Sequence, residues 1–182
     1  MPLVLNGATS GSTTIQATDA VTQTITLPNN SGTVLTTAST FAGTGPAFSA
    51  YSTSNQTISA STLTKVLYDT EEFDTNNNFA SSRFTPTVAG YYQINGCFSI
   101  ETSTGTQTRI LPILFKNGAE YKIGEDIAVT AGIRNNGTIS SLVYLNGSTD
   151  YVEIYAYVVG GTPILRGYSS ATWFNGSMVR SA

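Results

Sequence analysis

Histidine is absent from this chain of 182 residues, and cysteine occurs once, as Cys97. Without an imidazole there is no base of the usual kind for a serine or cysteine nucleophile, and the common Cys/His zinc sites cannot be assembled. One cysteine cannot close an internal disulfide, so packing alone is expected to hold the fold, and a cytoplasm is the expected place of synthesis. Charge is scarce as well. Asp, Glu, Lys and Arg make up 10% of the residues, with a formal net charge of −3. The basic residues are scattered, which excludes the clustered footprint of a nucleic-acid binder. No apolar run reaches the roughly 18 residues that a membrane helix needs. Met-Pro-Leu-Val-Leu at the start lacks the basic end and long apolar stretch of a signal peptide. Helical spacing of apolar residues does not persist anywhere.

What remains is a chain rich in Ser, Thr, Asn, Gly and β-formers, which predicts an all-β protein of short strands and tight turns. Its centre is Tyr68 to Ile94, YDTEEFDTNNNFASSRFTPTVAGYYQI. The run Asp74–Asn78 reads as an exposed loop, because Asn and Asp favour turns. Pro86 lacks an amide donor and Gly90 can take positive φ, so the pair reads as a corner between strands. Beyond it Tyr92, Ile94, Phe98 and Ile100 alternate with Gln93, Asn95, Ser99 and Glu101, the period of a half-buried strand. Cys97 falls on the second face and reads as a small buried filler at a partner surface.

Further strands are expected at Ala47–Tyr51 and at Leu63–Asp69. Arg109–Phe115 is apolar on both faces, which places it centrally in a sandwich or between core and partner. Asn117-Gly118 is the strongest hairpin signal; Asn135-Asn136-Gly137 and Asn146-Gly147 read as two more. Strands are also expected over Thr138–Leu145 and Asp150–Val159. Tyr151, Tyr155 and Tyr157 share one face of the last of these. Tyrosine buries area yet keeps a polar handle, so this face, with Ile113 and Phe115, is expected to be a subunit interface.

Tyr68, Asp74, Phe79, Phe84, Pro86, Gly90 and Tyr92 together resemble the signature of the complement component one q globular head, which belongs with tumour necrosis factor in one superfamily. Ala47–Tyr51 resembles that family's first strand, Leu142 to Ile154 its Leu-x-x-Gly-Asp-x-Val pair, and Ala171 to Val179 its closing strand. The resemblance spans residues 47–179. It implies a jelly-roll β-sandwich, homotrimeric, with the last strand lying beside the first. Some members of the family hold calcium, but there is no Asp-x-Asp-x-Asp loop here, and no metal or cofactor is expected.

Residues 1–40 are different: Thr-rich, with thin alternating strands that cannot bury a core alone. The segment Leu-Asn-Gly-x-Thr-Ser-Gly, followed by Thr26 to Leu35, is similar to short repeats in structural proteins of tailed bacteriophages. Residues 41–46 then read as a linker, and residues 47–182 as the head. The combined resemblance implies a structural virion protein, assembled in the host cytoplasm. It would be a trimeric capsid decoration (cement) protein or head fibre, bracing the shell through an extended N-terminal β arm. Leu3, Leu5, Ile15, Ile25 and Leu27 would be its anchors on the major capsid protein or another virion protein. The alternative is the receptor-binding tip of a tail fibre, with a host surface glycan or protein as partner. Asp74, Asn76, Asn77, Arg166 and Tyr168 would then be the reading loops. The remaining candidates for chemistry are the carboxylates Glu71, Glu72 and Asp74, and Glu120, Glu125 and Asp126. These read as solvated loop charges rather than a hydrolytic pair, so no enzymatic activity is expected.

Overall fold

The computed structural model describes residues 3–6, 12–15, 45–102, 107–128 and 135–182. The chain forms two compact units, residues 1–36 and 37–182. In the first, β1 (Leu3–Asn6) and β2 (Ser12–Ile15) pair antiparallel, with Leu3 opposite Ile15 and Leu5 opposite Thr13. Two of the expected anchors are therefore register partners. Ile25 and Leu27 lie outside the described residues, as does most of the 41–46 linker.

The second unit is an antiparallel sandwich. Its strands are β3 (Ala47–Tyr51), β4 (Gln56–Thr57), β5 (Thr64–Lys65), β6 (Thr70–Asp74), β7 (Phe79–Ala80), β8 (Arg83–Phe84) and β9 (Gly90–Thr102). They continue with β10 (Arg109–Lys116), β11 (Ala119–Ile123), β12 (Ile127–Ala128), β13 (Asn135–Leu145), β14 (Val152–Val159), β15 (Pro163–Leu165) and β16 (Trp173–Ser181). One sheet runs β11-β10-β14-β8-β7, with β12 on β10 and β5 on β14. The other runs β4-β15-β9-β16-β3-β6, with β13 on β9. The closing strand β16 sits between β9 and the head's first strand β3, as a jelly roll requires.

The period-two reading of β9 holds: Tyr92, Ile94, Phe98 and Ile100 all point into the core, each at most 2% exposed. They meet Ile110, Leu114, Val152, Ile154 and Val158 from the opposite sheet. Phe48 stacks on Phe84 with ring centroids 4.3 Å apart and meets Phe174 edge-on at 4.8 Å, so β3, β8 and β16 share one aromatic cluster. Gly96 lies where β9 crosses β14; a Cβ there would come within 2.8 Å of Ile154 Cδ1.

Four local expectations need correction. Asn146-Gly147 closes no hairpin, because β13 pairs with β9 in one sheet and β14 with β10 in the other. Leu63–Asp69 is not a continuous strand. Only Thr64–Lys65 joins a ladder; Val66 N bonds to Ile154 O, and Tyr68 N is taken by the Ser82 hydroxyl at 2.8 Å instead of by a neighbouring strand. Asn135-Asn136-Gly137 is no turn. It opens β13, with Gly137 opposite Phe98, where a Cβ would approach that ring and Ile110 to 3.1–3.2 Å. Gly90 does not use positive φ; it is the first residue of β9, held against Arg180 and Ser181 of β16. Asn117-Gly118 is the hairpin turn expected, with φ of 53° and 79°.

Candidate functional site

The outer face of the β10–β14 sheet carries the residues expected at a subunit interface. Leu111, Ile113 and Phe115 project there from β10 and pack with Tyr155 and Tyr157 of β14. Phe115 and Tyr155 stack with centroids 4.0 Å apart. The structure thus brings Ile113, Phe115, Tyr155 and Tyr157 into one cluster, but within a single chain. Ile113 is 2% exposed before any partner arrives. Tyr151 stands beside this cluster under the Arg83 guanidinium, 3.8 Å from ring to cation. Next to it the buried Glu153 carboxylate accepts from Lys65 Nζ at 2.7 Å and Arg83 Nε at 2.8 Å. Burial pushes the Glu153 pKa up, but these two hydrogen-bonded cations outweigh it and hold it below the usual carboxylate range.

The outer face of the other sheet is different. Near one end, Tyr91 of β9, Leu142 and Tyr144 of β13 and Val179 of β16 are all at least 41% exposed. Tyr91 and Tyr144 are directly opposite in the ladder, with ring centroids 5.5 Å apart. Tyr91, Leu142, Val179 and the last three residues line a depression of about 570 Å³. Toward the middle of the sheet the face turns polar. Gln93 donates to Ser140, Ser140 to Asn95 and Asn95 to Asn175, at 2.8–3.0 Å. The sequence carried a signal for the apolar end: in SSLVYL both phases of the alternation are apolar, so one phase must leave the core.

The loop residues proposed as a reading surface fall into separate places. Asp74 closes its own turn, accepting from Phe79 N at 2.6 Å and Asn76 N at 3.3 Å. Asn77, at φ 54°, makes the turn and lines a depression with Lys65 and Arg83, while Asn76 is exposed beside it. Arg166 and Tyr168 line another depression, of about 300 Å³, with Ser99, Ser170 and Ala171. Cys97 is buried by its own chain, its thiol 3.4 Å from Ala171 O, and burial with the nearby Glu125 charge pushes its pKa up to about 11.

The carboxylates do structural work. Glu72 accepts from the Ser49 hydroxyl at 2.6 Å and Glu125 from the Thr138 hydroxyl at 2.9 Å. Asp126 takes a two-pronged bond from Arg109, which lowers its pKa. No group of three metal-ligating side chains converges among the described residues.

No family model and no curated protein matches the chain. Solved structures do. The globular domain of zebrafish complement 1qA is 14% identical, covers 75% of this chain and 99% of its own, and superposes with a TM-score of 0.54. Murine APRIL at pH 8.0 is 9% identical over 73% of this chain and 98% of its own, with a TM-score of 0.56. Eiger TNF from S. frugiperda is 9% identical over 76% and 95%, also with a TM-score of 0.56. The head has the complement and tumour necrosis factor type of jelly roll; at these identities the likeness establishes fold alone.

Proposed function

We propose that this chain is a self-associating structural protein of a tailed-bacteriophage virion, a capsid decoration protein or head fibre, in which the residues after 36 form the head and the N-terminal unit attaches it. The observation that supports self-association is the set Tyr91, Leu142, Tyr144 and Val179, exposed together on one sheet face. Aromatic and aliphatic side chains rimmed by polar ones are what a subunit interface presents. The contact surface is therefore proposed on β9–β13–β16 rather than on β10–β14, where Leu111, Ile113 and Phe115 are already at most 9% exposed. The count of three copies rests on the resemblance to complement-type heads, and the virion on the resemblance in residues 3–39.

Three of the carboxylates that were candidates for hydrolysis, Glu72, Glu125 and Asp126, are occupied by Ser49, Thr138 and Arg109, which favours a binding and bracing role over catalysis. The test uses particles stripped of this protein. The full chain should rebind and a fragment of residues 37–182 should not, while both sediment as trimers. Equal rebinding by the two would place attachment in the head, and a monomeric full chain would remove the assembly altogether.

A further inference from the structure

Ser99 and Arg166 lie on the same outer face as Tyr91, but eight residues further along β9, about 26 Å at roughly 3.3 Å per residue. There β15 has just ended, and Arg166 N is still bonded to Ser99 O at 2.9 Å. The chain then turns back sharply. Tyr168 O accepts from both Ala171 N and Thr172 N. Gly167 anchors this turn: its amide donates to Asn55 Oδ1 at 2.9 Å, and a Cβ in its place would come within 2.2–2.5 Å of the Ser54 backbone. The loop is therefore fixed before any ligand arrives.

Inside it, Arg166 is only 9% exposed, yet its Nε has no hydrogen-bond partner. Glu101 Oε2 stands 3.5 Å from that nitrogen, close enough to neutralise the charge but outside hydrogen-bond geometry. The guanidinium lies 4.8 Å from the Tyr168 ring, which is itself 54% exposed. Ser99 and Ser170 complete the lining. A buried, under-bonded arginine in a pre-formed depression is costly unless something uses its donors.

We propose that this depression binds one neutral sugar ring of a glycan. The charge balance selects the class. An anionic ligand would have to compete with Glu101 for Arg166, on a chain whose net charge is already −3. A polyhydroxy ring needs donors and acceptors side by side, which the guanidinium and two serine hydroxyls lining the depression supply. It also needs an apolar platform for its C–H face, which Tyr168 offers. At about 300 Å³ the space is at the small end for ligand pockets, suited to a single ring. The site stands on this pocket alone and does not depend on the virion reading.

Saturation-transfer NMR on the full chain tests it with the methyl glycosides of glucose, galactose and mannose, and with glucuronate as the charged comparison. At least one neutral glycoside should receive saturation on its ring protons. Tyr168→Ala should weaken that binding by about fivefold, the factor for one lost aromatic face. Ser170→Leu, an exposed change that fills the mouth, should abolish it with the melting temperature unchanged. Transfer to none of the three glycosides, transfer to glucuronate alone, or binding indifferent to both variants would each overturn the assignment.

Discussion

Tyr92 donates its hydroxyl proton to the Val88 carbonyl at 2.6 Å while its ring is fully buried against Phe84, centroid to centroid 5.5 Å. One side chain thereby ties the Pro86 corner to the core of the sandwich. The two roles separate by substitution. Tyr92→Phe keeps the ring and leaves a carbonyl short of a partner, a loss of about 1–2 kcal/mol. Tyr92→Ala opens a cavity and should cost about 3–5 kcal/mol. Urea unfolding of both variants checks the order; equal losses would mean that the hydroxyl, not the ring, holds the corner.

Gly90 is needed for closeness. A Cβ there would sit 2.6 Å from Arg180 O and 3.1 Å from Met178 Cε. Gly90→Val should destabilise the head by about 1–3 kcal/mol through forced separation of β9 and β16. Gly90→Ala should show most of the same loss, because the first carbon already clashes. If alanine is tolerated and valine is not, the obstacle is branching rather than backbone contact.

Glu153 gives stability a pH dependence. Its folded pKa is lowered, so its contribution is complete above the unfolded value of about 4.3 and is lost as pH falls through the folded value. Thermal melts should therefore decline on acidification below about pH 4.3, in part because of this residue. Glu153→Gln should cost about 2–3 kcal/mol at neutral pH, less than for a fully buried pair since Lys65 and Arg83 are partly solvated. It should also flatten the acid decline; an unchanged slope would assign that decline to other carboxylates.

The interface assignment makes opposite predictions for two faces. Leu142→Lys, at a residue 53% exposed, should leave the melting of the isolated chain nearly unchanged and shift the light-scattering mass to one chain. Ile113→Lys, at a residue buried within its own chain, should unfold the head instead, because it buries an unpaired charge. A folded monomer from Ile113→Lys would return the interface to β10–β14.

Cys97 should be inert. With its pKa pushed up to about 11 and its thiol buried, almost no thiolate exists at neutral pH. Ellman's reagent should react with it only after denaturation, and fast labelling of the native protein would show the site opening.

The jelly roll was legible because its signals are local. The alternation through Tyr92, Ile94, Phe98 and Ile100 needs only one strand, and Asn117-Gly118 only one turn. The cover over Ile113 and Phe115 was not, because a strand apolar on both faces reads alike whether a partner or its own chain covers it. Glu153 shows why: its cover comes from Lys65 and Arg83, residues 88 and 70 positions away. Gly137 failed similarly, since the side chains that demand a glycine there, Phe98 and Ile110, belong to other strands. Arg166 and Tyr168 were visible as polar loop residues, but their enclosure with Ser99 depends on the register of β15 on β9.

The head's first strand, β3, is held along both edges, by β16 on one side and β6 on the other. Considered as a mechanical joint, this is a lap splice rather than a zipper. Tension applied at Ala47 along the strand runs parallel to both ladders, so their hydrogen bonds carry the load together in shear instead of opening singly. Pro46 adds a clasp at the point of loading, its carbonyl bonded to Met178 N at 3.0 Å. A head carried on its N-terminal side can thus be tugged without its first strand being peeled away.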